Sequence, residues 1–438
     1  MQDLGRRLRG SLLEPAPSDF ARDFSRLTRI PPRAVVRPQG VEDVQETVRY
    51  AHQHGLRTVA RGHGCSANGQ TLSEHLVLDI HGLTEFERTG ELEVKVGAGF
   101  TWGDLQDRLN ALGLSNIVLT DYRSHTVGGT LSVGGFGSMS LHQGGQVDQV
   151  VALDIVTGTG ELVHARREGP HARLFQYTLC GLGQTGLIVR AYLKVARHRP
   201  HALNFAESPY STETLASITR RVLDAPQPWD HCLVLHYLAF QQTMVLLARD
   251  VEEEPAELPE GAQFLPEFYR YKNTAATGVM SQILDGLKDA GLAKGEEDVY
   301  HLWNDYFVPS DKADAFRQLH QSLFQDPRFT MGTYGTILRA RPPGSRLPLS
   351  PMSSGAEVIN TFSGPYHTIP KSFLDEYRAK FDQAIDACLS LGGRVYLYGY
   401  HPKSADFYRR QFGAETFETW RAVKAEYDPG SILGAPLF

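Results

Sequence analysis

Two short stretches concentrate groups that could do chemistry. RGHGCSANGQ, Arg61 to Gln70, places a histidine, a cysteine and a serine among three glycines, directly after the apolar run LRTVARG. LTDYRSHTVGGTLSVGGFGSMSLHQGGQ, Leu119 to Gln146, joins Asp121 to a second glycine-rich region. The first stretch admits three chemistries. His63 and Cys65 could begin a metal site, although no HExxH, PCxxC or similar second ligand pair stands nearby. Cys65 could be a nucleophile if His142 or His401 approached it in space. Alternatively, both stretches could use bare backbone N–H groups as anion nests that hold a diphosphate without a lysine. Glycine suits that last task because it lets backbone approach a phosphate closely and tolerates φ > 0.

The elements that would position these loops are legible around them. VEDVQETVRYAHQHG has Val41, Val44, Val48 and Ala51 at helical spacing, acids at its start and Gly55 at its end. AVVRP before it and LRTVARG after it are β-branched, so strand–helix–strand is expected, with the first loop leaving the C-terminal end of a strand. LVLDI and LEVKVGAG read as strands. TWGDLQDRLNALG reads as a helix capped by Thr101 and stopped by Gly113. VVALDIVTGTGELVHA carries a hairpin signal at Gly158 to Gly160. GLGQTG, Gly181 to Gly186, satisfies GxGxxG, but the alternating LIVRAYLKV after it predicts a strand where a dinucleotide fingerprint needs a helix. A Rossmann domain is therefore not expected.

The totals narrow the class. At 438 residues the chain exceeds one ordinary core, so two or more domains are expected. A 41% hydrophobic and 21% charged composition suits a globular enzyme. A net charge of −6 without a basic block argues against nucleic-acid binding. Cys65, Cys180, Cys232 and Cys388 lie far apart, which argues against a disulfide framework or a cysteine zinc site. No apolar run approaches a membrane span, no signal-peptide core follows the basic start, and no N-x-Ser/Thr occurs, so a cytoplasmic location is the expectation. The acidic run VEEEPAELPEGAQ reads as a solvated loop.

Beyond these readings, the chain resembles the flavoprotein oxidases and dehydrogenases of the vanillyl-alcohol-oxidase (PCMH) type, most of all their cytokinin-dehydrogenase branch. The resemblance runs from about Arg37 to Val195 and returns at Tyr396 to Asp428. VRPQGVEDVQETVRYAHQHGLRTVARGHGCSANGQ is similar to the family's entry strand, helix and first flavin loop, and LTDYRSHTVGGTLSVGGFG to the branch's WTDYLxxTVGGTLSNAG pattern. VVALDIVTGTGELV and GLGQTGLIVRAYLKV resemble later strands, HLWNDYFVP a segment of the substrate domain, and YHP with VKAEYDPGSIL the C-terminal signature.

The resemblance implies an α+β fold. A PCMH-type FAD-binding domain of two α+β subdomains would span residues 1–200. A substrate or cap domain at 201–395 would carry an antiparallel sheet with flanking helices, and 396–438 would return to the FAD domain. FAD would contact Arg61, Gly62, His63, Gly64, Cys65, Ser66 and Gln70 in the first loop. In the second region it would meet Thr120, Asp121, Thr126, Gly128, Gly129, Ser132, Gly135 and Gly137. Gly183, Gly186, Leu187 and Ile188 would border the adenosine side or the flavin edge.

The implied activity is oxidation of a small amine, alcohol or acid, with Asp121 as base, Tyr400 beside the substrate or flavin, and O₂ or another acceptor taking the electrons. A flavin-fold protein that only binds a ligand is the alternative, and a cysteine hydrolase using Cys65 a third. Where the branch has GHGHS, whose second histidine links covalently to the flavin 8α-methyl, this chain has Cys65. A cysteinyl-FAD and a small residue packed beside a dissociable flavin both follow from that change. Cys180 stands where glycine is usual, and Arg123 with His125 replaces apolar residues, which suggests a polar or carboxylated substrate.

Overall fold

A computed structural model describes residues 1–120, 122–206, 213–237, 242–266, 288, 291, 293–326, 333–364 and 367–437. The expected strand–helix–strand opens it. The strands Ala34–Arg37 and Thr58–Arg61 flank the helix Val41–His54 in sequence, but both pair in parallel with Leu76–Asp79, which lies between them. Ser11–Leu13 closes this sheet on its antiparallel edge. Val41, Val44, Val48 and Ala51 are buried, and Gly55 ends the helix at φ +63°.

A second sheet is antiparallel, in the order Phe86–Gly90, Glu93–Gly97, Leu187–Arg197, Val150–Val156, Leu162–Arg166. Leu187–Arg197 confirms that GLGQTG leads into a strand. Thr101 caps the helix Trp102–Asn110, its Oγ1 accepting from the Asp104 amide at 3.1 Å, and Gly113 follows at φ +71°.

The third sheet is antiparallel and nine-stranded. Its central strands run His231–Tyr237, Thr333–Gly335, Val358–Ser363, Asp305–Pro309. Strand alternation gives it two different faces. Tyr306 and Phe362 point to the helix Ala313–Leu323, where their rings meet Phe316 at 5.1 and 5.0 Å. The helices Leu215–Leu223 and Leu374–Ser390 pack on the same side. Asp305, Phe307, Thr361 and Ser363 face the other way, towards the first two sheets.

The C-terminal segment crosses back. Its helix Ala414–Tyr427 packs on Ala172–Thr178, and the Thr58 amide donates to Ile432 O at 2.7 Å. Buried Asp428 locks the return. It accepts from Lys424 Nζ at 2.9 Å and from the amides of Ile432 and Leu433, both at 3.0 Å. Glu252, Glu253, Glu254, Glu257 and Glu260 are exposed, as expected for a solvated loop. Among the described residues no helix is long and apolar enough to cross a membrane.

Candidate active site

One cavity lies between the glycine-rich loops and the open face of the nine-stranded sheet, with about 1790 Å³ of empty space including its mouth. Its wall runs from the glycine loops to the sheet, so one ligand could touch both.

The first loop starts where strand Thr58–Arg61 ends. Gly62 lies so close to Thr126 that a Cβ there would sit 2.1 Å from its Oγ1, and Gly64 adopts φ +74°. The far end of the loop is tied to the C-terminal segment: the Ala67 amide donates to Tyr398 O at 2.7 Å, Gln70 Nε2 to Leu397 O at 2.7 Å, and Asn68 Nδ2 to His401 O at 2.9 Å. Between those anchors, the amides of His63, Gly64, Cys65 and Ser66 have no acceptor among the described residues. A run of unspent amides on a cavity wall is the arrangement that holds an anionic ligand.

The second region works differently. Thr126 caps the short helix Val127–Leu131, and the amides of Val127, Gly128, Thr130 and Ser132 donate to backbone carbonyls. Its glycines serve close packing. A Cβ on Gly128 would lie 2.8 Å from that of Ala98, and one on Gly137 2.0 Å from Leu119 O. The expectation that both loops act as amide nests is thus corrected: the first leaves its amides open, and the second spends most of its own within the fold. The third loop is sewn to the second, Cys180 N donating to Leu131 O at 3.0 Å and Leu182 N to Ser132 O at 2.9 Å. Cys180 is buried at φ +61°, which gives a physical reason for the glycine usual there.

Most of the expected contacts line this cavity: Gly62, His63, Gly64, Cys65, Ser66, Gln70, Thr120, Thr126, Gly128, Gly129, Ser132, Gly137, Gly183, Gly186, Leu187 and Ile188. Three are placed elsewhere. Arg61 turns back to the N-terminal segment, donating to Arg22 O at 2.8 Å and Asp19 O at 3.1 Å. Gly135 donates its amide to the Tyr396 hydroxyl at 2.7 Å. Tyr400 donates its hydroxyl to Asp382 at 3.1 Å, and the tyrosines on the cavity wall are Tyr122, Tyr396 and Tyr398. Asp121 lies outside the described residues, although its neighbours Thr120 and Tyr122 both line the cavity.

Burial pushes the Cys65 thiol up to about 12, against a smaller opposing pull from Arg61. Neither histidine considered as its partner lines the cavity. His401 is buried between Gly399 O and the Tyr408 hydroxyl, and burial lowers it to about 4. A thiol held protonated, with neither of those histidines on the cavity wall, is a poor hydrolytic nucleophile. Arg123 does not reach the cavity either; it pairs with Asp107 at 2.6 Å and donates to Gly103 O.

Sequence reasoning passed over the sheet wall. Asp305, Trp303, Phe307 and Tyr398 come together there from HLWNDYFVP and VYLYGYHP. Asp305 is 8% exposed. Trp303 Nε1 donates to its Oδ1 at 2.9 Å and the Tyr398 hydroxyl to its Oδ2 at 3.1 Å. Burial raises this carboxyl to about 6, with the hydrogen bonds from Trp303, Tyr398 and Ser363 pulling the other way. A lone acid in an otherwise apolar strand was the available signal.

Comparison with known proteins agrees with this geometry. Residues 32–166 match the FAD binding domain family. The chain is 27% identical over 478 aligned residues to cytokinin dehydrogenase 3 of Oryza sativa subsp. japonica, covering 96% of this chain and 89% of that protein. It is 29% identical over 339 residues to cytokinin dehydrogenase 3 of Arabidopsis thaliana, covering 68% of this chain and 64% of that protein. An uncharacterized oxidoreductase of the fasciation locus of Rhodococcoides fascians is 27% identical over 94% of both chains. The chain carries a PCMH-type FAD-binding domain related to the plant cytokinin dehydrogenases, and it is an FAD-dependent oxidoreductase.

Proposed function

We propose that this protein oxidises a small organic molecule at a C–H bond next to an N–H or O–H, with residues 1–200 and 396–438 holding FAD and 201–395 holding the substrate. The observation that carries the reading is that one cavity has both kinds of wall. It joins the unspent amides of His63 to Ser66, suited to a diphosphate, to a sheet wall with aromatic and hydroxyl side chains, suited to a substrate. FAD, when bound, supplies the hydride acceptor and later passes the electrons to O₂ or another acceptor.

The chain's part is to bind, orient and move a proton. Trp303, Phe307 and Tyr398 exclude water from the sheet side of the cavity. Asp121 is the proposed base for the heteroatom proton. A placed carboxylate contributes on the order of 10²–10⁴ in rate. His63, lowered by burial, stands on the wall as a neutral imidazole.

Cys65 Sγ is the atom through which a thioether to the cofactor would form. Because burial holds the thiol protonated, the reading supported here is a thiol beside a dissociable flavin. The test of the function is anaerobic mixing of the purified yellow protein with a panel of amines, alcohols and carboxylic acids. Bleaching of the flavin by at least one class is expected. A yellow protein that no substrate bleaches would instead be a catalytically silent flavin-fold binding protein.

A further inference from the structure

We propose that Asp305 is the specificity-determining carboxyl of the cavity, accepting a hydrogen bond from an amine or hydroxyl of a flat, neutral or cationic substrate and turning away carboxylates. The proposal rests on the oxidoreductase reading above and adds the charge class of the substrate.

Three observations lead to it. First, strand alternation puts Asp305 and Phe307 on the cavity face, while Tyr306 and Val308 take the helix side. Secondly, among the described residues Asp305 is the acidic side chain on the cavity wall, and no lysine or arginine lines it. Arg123, the nearest candidate in sequence for holding a carboxylate, is committed to Asp107. Among the described residues, an anionic substrate would thus meet a carboxyl group and no lysine or arginine to offset it. Thirdly, the surroundings of the carboxyl are aromatic. Trp303 stacks edge-on with Tyr398 at 5.9 Å, with Phe24 at 6.2 Å, and lies 6.4 Å from Tyr122. Such walls accept a planar body and orient it by one polar contact.

A role confined to holding Trp303 and Tyr398 in place would leave charge selection untouched, and that difference decides the experiment. Other titratable groups on the same wall are His63, Cys65, Tyr122, His125, Tyr396 and Tyr398. Substitution at position 305 is therefore needed to assign any pH effect. The holoprotein is titrated by calorimetry with benzylamine, benzyl alcohol and benzoate between about pH 5 and 8, as wild type, Asp305→Asn and Asp305→Glu.

In the wild type at the upper pH, benzylamine and benzyl alcohol should bind at least about ten-fold more tightly than benzoate, the equivalent of a single charge contact. The preference over benzoate should shrink as Asp305 becomes protonated towards pH 5. In Asp305→Asn the pH dependence should vanish with FAD content unchanged, and Asp305→Glu should retain it.

Equal binding of benzoate and benzyl alcohol by the wild type, or an unaltered ratio in Asp305→Asn, overturns the proposal. Should Asp305→Asn not fold, the wild-type pH series and Asp305→Glu decide alone. A failed charge preference in a yellow, bleachable protein removes the proposal and leaves the function. A colourless protein removes the function, while calorimetry still reads the selectivity.

Discussion

Replacing Asp305 by asparagine should make the protein more stable near neutral pH than the wild type is, relative to the difference between the two in acid. The carboxyl rises from 3.8 to about 6 on folding, chiefly through burial. A group whose folded pKa is raised binds its proton more tightly in the native state. Its contribution is therefore fully present below the unfolded value and lost as pH rises through the folded one. The whole shift corresponds to about 3 kcal/mol at 1.36 kcal/mol per pH unit. Between about pH 4.5 and 7.5 roughly 2 kcal/mol of it is expressed. Asparagine cannot accept from Trp303, Tyr398 and Ser363 as a carboxylate does, so the variant carries a penalty of about 1–3 kcal/mol for mismatched donors. That penalty does not vary with pH, and it cancels when the two pH values are compared within each protein. Urea unfolding of both holoproteins, with equal excess FAD, measures the quantity. The stability difference, variant minus wild type, should rise by about 2 kcal/mol from acid to neutral pH. Parallel curves would refute the reasoning, because the carboxyl would then be no harder to ionise in the fold than in water.

Other perturbations test other parts of the site. Asp121→Asn should retain FAD yet slow anaerobic flavin reduction by about 10²-fold or more, and unchanged reduction in a stopped-flow trace would remove Asp121 from the mechanism. Gly64→Ala forces a Cβ at φ +74° to within 2.6 Å of the Arg61 guanidinium, so FAD should be lost on gel filtration while the wild type keeps it. Lys424→Met leaves buried Asp428 without its cation and should lower stability by about 3–5 kcal/mol, read as a lower Tm. Acid precipitation should leave the yellow colour in the supernatant, and a yellow pellet would show a covalent bond, with Cys65→Ser as its check.

Much of the nucleotide half was legible because local chemistry decides it. Gly55, Gly113 and Gly160 adopt positive φ where the chain stops or turns, and Thr101 caps the helix its position suggested. Arg61 misled for a physical reason. An arginine beside a glycine loop looks like a phosphate ligand, but backbone carbonyls at Asp19 and Arg22 compete for its guanidinium, and nothing local announces them. The second glycine region misled in the same way, since whether an amide is spent depends on strands elsewhere, such as Phe100 O accepting from Val127. Asp305 was overlooked because its meaning arises from Ser363 and Tyr398, which only the sheet brings to it. Tyr400 was expected at the cavity, but the strand stops at Val395, and a turn in which the Gly399 amide donates to Tyr396 O at 3.2 Å carries Tyr400 to Asp382 instead.

The account depends above all on the first loop as the seat of the cofactor's diphosphate, and a crystal structure of the yellow holoprotein tests it most directly. The phosphate oxygens should lie within hydrogen-bond distance of the amides of His63 to Ser66, with the flavin ring facing the wall of Asp305 and Phe307 across the space left for the substrate. A diphosphate seated away from that loop, its amides turned to water, would contradict it.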